Sequence, residues 1–126
     1  MGIKNEKPSP PNCRGYAFHS LGLIDEEVFV REGTLEDFPF IERVNDPSEA
    51  EAIGILMENE GEIRLMHIMV IDLDDRNYVW HRPDTGLAPI REPGLKAITE
   101  ALNGIFFPHE LILLKRSQQC ISNVSS

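Results

Sequence analysis

The sequence predicts an α+β fold, an antiparallel β-meander with one main helix packed on a face of the sheet. Short runs rich in β-branched and aromatic residues alternate with polar turns, and one apolar stripe has helical spacing. At 126 residues the chain fits a single domain. We expect this domain to span residues 16–116, between a Pro-rich flexible arm at 1–15 and a flexible polar tail at 117–126.

The beginning of the domain is predicted to hold short elements. Residues 28–30 form a β-rich run that is typical of a strand. Thr34 and Asp37 have the spacing of a capping box, but Pro39 would break a helix that continued past it. We therefore expect one helical turn here, followed by a strand at about 40–44.

The next segment has two interpretations. Asp46 can cap a helix, and Pro47 suits the first helical position. We favour one helical turn and then a strand over about 52–58, because residues 59–61 separate two apolar runs as a hairpin loop does. The alternative is a helix over 50–58 that ends before the glycine of this loop.

The second half of the domain is predicted to complete the sheet and to supply the main helix. Residues 62–73 carry apolar side chains on both faces of a strand, which indicates a central position in the sheet. The aromatic run at 78–81 predicts the next strand, and the Pro-rich segment 83–93 predicts a loop. A helix is expected over 94–104 and a last strand over 111–114.

Negative charge is concentrated in one segment of the chain. Residues 25–75 hold sixteen of the 21 acidic residues and three basic ones, a net charge of −13 in a chain whose total is −9. Nucleic acids and anionic membranes attract clustered Lys and Arg, so neither is a predicted partner. No apolar run reaches the roughly 18 residues of a spanning helix. We expect a cytoplasmic protein with Cys13 and Cys120 as free thiols.

Strand register predicts that some of these acidic residues meet. With a three-residue loop at 59–61, Ile53 lies opposite His67, and residues 46–51 lie beside the turn at 72–77. A divalent cation would relieve the repulsion, and calcium accepts irregular sets of about six to eight oxygen ligands. We therefore predict a calcium buffer or regulator. Its predicted ligands are Asp46, Glu49, Asp72, Asp74, Asp75 and Asn77, with a second cluster at Glu36 and Asp37.

Other hypotheses remain open at this point. The alternative function is a protein–protein adaptor whose acidic face docks a basic protein. The acidic residues could also serve only to keep the turns solvated. His67 is expected to be a core histidine with satisfied hydrogen bonds. An enzyme would need a pocket that holds His81 with a carboxylate of perturbed pKa, for which Asp84 is the candidate. The chain has no phosphate-binding loop, nucleophile elbow or Cys-x-x-Cys motif, so no catalytic residue is predicted.

Overall fold

A computed structural model describes residues 11–83, 88–105 and 108–117 of the chain. Two α-helices are present in this part, α1 (Cys13–Ser20) and α2 (Gly94–Asn103), and neither is long and apolar enough to cross a membrane. Short 3₁₀ turns at Leu35–Asp37 and Pro47–Glu49 precede the first two strands. The strands are β1 (Ile41–Val44), β2 (Ala52–Asn59), β3 (Glu62–Ile71), β4 (Tyr78–His81), β5 (Ile90–Pro93) and β6 (Pro108–Arg116).

The described strands form one six-stranded antiparallel sheet in the order β1-β6-β2-β3-β4-β5. Strands β2 to β5 follow one another as a meander, whereas β6 returns along the sheet and inserts between β1 and β2. The predicted α+β class, with a meander and one main helix, is confirmed. The insertion of β6 goes beyond a simple meander and covers an edge that β2 would otherwise expose.

The sheet is covered on both faces. Neighbouring residues of β3 enter two separate apolar clusters, because successive strand side chains point to opposite faces. Ile68 belongs to the cluster that contains Phe18 of α1, and Met69 to the cluster that contains Ala97 of α2. The central position predicted for this strand is therefore confirmed, and α1 supplies a layer that the sequence did not predict.

The β2–β3 hairpin differs from the prediction in its register. Its turn consists of Glu60 and Gly61, which both have positive φ (53° and 81°), as a two-residue type I′ turn requires. The predicted loop was one residue too long, and a bulge after Ile55 shifts the pairing further. Ile55 rather than Ile53 consequently lies opposite His67. The predicted strand is confirmed, and the helical alternative for this segment is wrong.

Helix α1 begins directly after Asn12, whose side chain ties the helix to a neighbouring segment. Asn12 Oδ1 accepts hydrogen bonds from the backbone N–H groups of Gly15 (3.0 Å) and Val30 (3.1 Å). A Cβ atom at Gly15 would lie 1.5 Å from the carbonyl oxygen of Val28. Only glycine therefore allows the helix to approach this segment so closely.

Four predicted segments are corrected. Residues 11–15 belong to the folded domain rather than to a flexible arm, and residues 28–30 are not in a strand. Ser117, predicted as the first tail residue, is buried and donates its N–H to the carbonyl oxygen of Phe40 (2.8 Å). Strand β5 lies in the segment predicted as a loop. The parts of the predicted arm, loop and tail that fall outside the described residues are 1–10, 84–87 and 118–126.

Candidate functional site

The two segments predicted to supply the calcium ligands lie beside each other, but a cation of the chain itself joins them. The turn at 72–77 lies beside residues 46–51, as predicted, and Arg76 joins the two segments. Arg76 Nη2 donates to the carbonyl oxygens of Pro47 (2.7 Å) and Ala50 (2.8 Å). A guanidinium group therefore already relieves part of the repulsion for which calcium was invoked.

Asp72, the central residue of this cluster, is buried and has protein partners on both oxygens. Oδ1 accepts hydrogen bonds from the backbone N–H groups of Asp74 (2.7 Å) and Asp75 (3.2 Å). Oδ2 accepts from Trp80 Nε1 (3.0 Å) and Arg91 Nε (2.5 Å). These bonds, that from Arg91 foremost, lower the pKa of Asp72 to about 2. The carboxylate holds the turn against β4 and β5.

Several of the other predicted ligands cap their own turns. Asp46 Oδ1 accepts from the backbone N–H and the hydroxyl of Ser48, both at 2.9 Å, and these bonds lower the pKa of Asp46. Asp37 Oδ2 accepts from the backbone N–H of Thr34 at 2.9 Å. Within the described ranges, no three His, Cys, Asp or Glu side chains converge to hold a metal ion. Calcium binding stays a prediction for the whole set, which also includes Glu36, Glu49, Asp74, Asp75 and Asn77.

A cavity of about 520 Å³ lies where β3 and β4 separate. These strands pair over two residue pairs next to their turn, and farther along His67 and His81 face each other where the ladder has ended. The beginning of α1, including Arg14, and the end of α2 complete the wall. Phe29 and Ile90 line the cavity and are 41% and 39% exposed, so it opens to solvent. Its volume suits a small molecule.

Two histidines and a glutamate form a hydrogen-bonded chain in the wall of this cavity. His67 Nε2 lies 2.9 Å from His81 Nδ1, and His81 Nε2 lies 2.8 Å from Glu92 Oε1. The three side chains come from β3, β4 and β5, and their residues are 7%, 2% and 7% exposed. Strand alternation turns His81 to the same face as Val79, whose partner on β5 is Glu92.

The hydrogen-bond partners determine which ring nitrogens carry protons. A carboxylate only accepts, so His81 donates from Nε2 to Glu92. A neutral His81 then accepts at Nδ1, and His67 donates to it from Nε2. The lone pair of a neutral His67 is therefore on Nδ1. We conclude that the chain of hydrogen bonds ends at a nitrogen that can accept a proton.

The environment of His67 keeps the ring neutral and leaves Nδ1 without a protein partner. Burial lowers the pKa of His67 to about 4, and the charges of His81 and Arg14 act in the same direction. Nδ1 has no hydrogen bond within the described part of the chain. The one fully buried, unpartnered side-chain nitrogen or oxygen of the described residues is Arg64 Nε, so Nδ1 is not sealed from solvent.

The thiol in the cavity wall is not activated as a nucleophile. Cys13 Sγ donates to the carbonyl oxygen of Met66 at 3.5 Å, and burial raises the pKa of the thiol. Arg82, which also lines the cavity, forms an ion pair with Glu27. Because the thiolate is the reactive form of cysteine, the groups described here favour acid–base chemistry over covalent catalysis.

Part of this site was predictable from the sequence. His67 is buried, as predicted, but its Nδ1 has no partner among the described residues, unlike a satisfied core histidine. His81 lines a pocket beside a carboxylate. The carboxylate is Glu92, whereas Asp84 lies outside the described residues. Glu92 was missed because it is the one buried side chain of β5, which leaves that strand without an apolar alternation to mark it.

The chain matches no protein-family model, no curated protein and no solved structure in the comparisons made. The chain is therefore classified by its own structure. It is an α+β domain in which strands β3 and β4 separate and a pair of histidines lies between them. Its function is therefore inferred from the geometry of the cavity.

Proposed function

We propose that the protein is a small acid–base enzyme that moves a proton to or from a small molecule held in the cavity. The observation that carries this proposal is the Glu92–His81–His67 chain of hydrogen bonds, which ends at an unpartnered ring nitrogen. Buried ionisable groups with shifted pKa values are enriched at functional sites. A purely structural network would be expected to satisfy its last nitrogen as well.

The proposed mechanism uses the pair of imidazoles as one base. His67 Nδ1 accepts a proton from the bound molecule, and the proton on His67 Nε2 passes to His81 Nδ1. The positive charge then lies on His81, 2.8 Å from the Glu92 carboxylate, rather than on His67. Glu92 thereby orients His81 and stabilises its imidazolium, as the acid of a catalytic triad does for its histidine. Reversal of these transfers returns a proton to another atom of the substrate.

This arrangement explains how a histidine with a depressed pKa serves as a base. Protonation of His67 alone would place an unpaired charge beside Arg14 in a buried site. Transfer to His81 pairs the charge with a carboxylate whose other oxygen, Oε2, lies 4.0 Å from Lys96 Nζ. The reaction classes that need only this step are isomerisation and elimination by proton abstraction.

The proposal can be tested with 5-nitrobenzisoxazole, a neutral probe of bases in cavities. A base removes the ring C–H proton, the N–O bond breaks, and the products are a nitrile and a coloured phenolate. We expect the protein to exceed an equal concentration of free imidazole by about 10²-fold, within the usual range of a positioned general base. His67→Gln should reduce the rate to that of imidazole.

The matched control is His19→Gln, which removes an exposed histidine at the end of α1. This variant should retain the full rate, since His19 does not line the cavity. Equal rates for the protein and for His67→Gln, with both variants folded by circular dichroism, would contradict the proposal.

A further inference from the structure

The cavity wall contains a buried positive charge for which the proposed proton transfer has no use. Arg14 is 7% exposed, and its Nε donates to the carbonyl oxygen of Val30 at 2.9 Å. Its Nη1 donates to the carbonyl oxygen of Met66 (2.6 Å) and contacts the sulfur of Cys13 (3.9 Å). None of these partners carries a negative charge that would neutralise the guanidinium.

Arg14 differs in this respect from Arg82, which lines the same cavity, and from Arg91, which contacts the turn at 72–77. Arg82 is ion-paired with Glu27, and Arg91 is ion-paired with Asp72. Over the ranges that the structure describes, Arg14 has no carboxylate within ion-pair distance. A buried cation without a counter-charge costs several kcal/mol. Retention of such a group in a cavity wall is explained if an anion binds there.

The free edge of the guanidinium is available to a ligand. Arg14 Nη2 makes no hydrogen bond to the described residues, and it is not among their fully buried unpartnered atoms. Arg14 lines the same cavity as His67, and its charge lowers the pKa of that histidine. An anion held by Arg14 would therefore lie close to the ring that accepts the proton.

We propose that Arg14 binds the anionic group of the substrate and that the substrate is a small organic carboxylate with an apolar body. The guanidinium fork matches a carboxylate in shape and charge. The wall also carries apolar side chains, which suit a hydrocarbon or aromatic body, and the carboxylates Glu92 and Glu100, which disfavour a second negative charge on the ligand. These apolar lining residues are Phe29, Met66, Ile90, Ala101 and Ile105. The inference rests on the proposed function, since it places the reacting molecule beside His67.

The test compares benzoate with benzamide, its neutral analogue of similar shape, by NMR titration of the unmodified protein. We expect benzoate to bind at least about tenfold more tightly, as a charge-assisted hydrogen bond requires. Its addition should shift the side-chain Nε–H signal of Arg14. Equal affinities for the two probes would overturn the proposal without any variant. Tighter binding of inorganic phosphate than of benzoate would overturn the assignment to a carboxylate.

Two variants separate this inference from proton transfer. Arg14→Gln should lose the preference for benzoate, whereas Arg43→Gln removes an equal charge from an exposed ion pair of β1 and should keep it. The elimination assay of His67→Gln tests the proton transfer separately, because the neutral probe 5-nitrobenzisoxazole has no anionic group for Arg14 to bind. A preference for benzoate that persists in Arg14→Gln would overturn the role of Arg14. It would not contradict the proposed proton transfer through His67 and His81.

Discussion

The acid-rich turn and the histidine cavity differ in how their buried charges are balanced. In the turn, the Asp72 carboxylate receives hydrogen bonds from Arg91, Trp80 and two backbone N–H groups. In the cavity, Arg14 has carbonyl and sulfur partners only, and His67 has one unpartnered nitrogen. The first region has completed its interactions within the chain, whereas the second has capacity left for a ligand.

This difference shows that the net charge of a sequence segment does not give the charge balance of the folded region. The segment with a net charge of −13 receives basic side chains from later parts of the chain once it folds. Arg82 pairs with Glu27, and Arg116 pairs with Glu51. A largely exposed pair such as Arg116 with Glu51 contributes about 0–1 kcal/mol, and both pairs reduce the local excess of negative charge. The unbalanced charge lies in the cavity, where the sequence shows no cluster.

The largest expected effect is a loss of folding stability at acidic pH, which arises in the cavity rather than in the acid-rich turn. His67 has a folded-state pKa of about 4 against an ordinary value of 6.5. Between these values the unfolded chain takes up a proton and the folded chain does not. The contribution of His67 to the free energy of unfolding is therefore fully present above pH 6.5. It is lost as the pH falls toward 4, by up to about 3 kcal/mol. Urea unfolding at pH 7 and pH 4.5 measures this loss.

The variant His67→Gln should remove most of the loss between these two pH values, and His19→Gln should not. Asp72 acts in a lower window, because its folded-state pKa of about 2 lies below the ordinary 3.8. Its contribution is complete above pH 3.8 and is lost as the pH falls through 2. A pH dependence of stability that is unchanged in His67→Gln would contradict the assignment of this loss to His67.

A smaller effect is expected from removing the central charge of the acidic turn. Asp72→Asn deletes the carboxylate that Arg91 and Trp80 share, whereas Asp74→Asn changes an exposed neighbour in the same turn. The urea midpoint at pH 7 should fall in Asp72→Asn and stay near that of the unmodified protein in Asp74→Asn. The ability to bind benzoate should be the same in both. Equal midpoints for the two variants would contradict a structural role for Asp72.

The smallest effect concerns the calcium prediction itself. If the carboxylates of the turn bind calcium, calorimetric titration should give a heat signal with a dissociation constant of about 1 mM, as weak calcium sites do. Asp74→Asn combined with Asp75→Asn should weaken this signal, and Glu110→Gln, which removes a charge on β6, should leave it intact. A flat titration of the unmodified protein would remove calcium from consideration. The turn would then have a structural role alone.

Local patterns predicted most of the fold. The capping box of Thr34 and Asp37, the cap at Asp46 and the helix after Pro93 all lie where propensity and spacing placed them. Such features depend on residues a few positions apart. Helix α1 was not predicted because it depends on contacts between residues far apart in the sequence. The main ones are the hydrogen bonds between the Asn12 side chain and the backbone of Val30. Its own apolar periodicity is weak, so a local pattern could not show it.

The candidate site was predictable only in part, because its residues lie far apart in the sequence. His81 was recognised beside a Pro-rich loop, and His67 as a buried histidine. The pairing of the two depends on the bulge in the β2–β3 hairpin and on the early end of the β3–β4 ladder. An error of one residue in register reverses the face of every side chain that follows. The hydrogen bond between His67 and His81 therefore could not be predicted before the register of these strands was known.

By itself the sequence determined the α+β class, the succession of β2, β3 and β4 and the place of the main helix. These follow from hydrophobic periodicity and from caps, which act over a few residues. The tertiary structure alone decided which charges were neutralised and which were left unbalanced. Ion pairs such as Arg91 with Asp72, and the unmatched Arg14 beside His67, depend on distances between separate elements. Electrostatic interactions are set by distance and burial in space, so their balance is known only once the chain has folded.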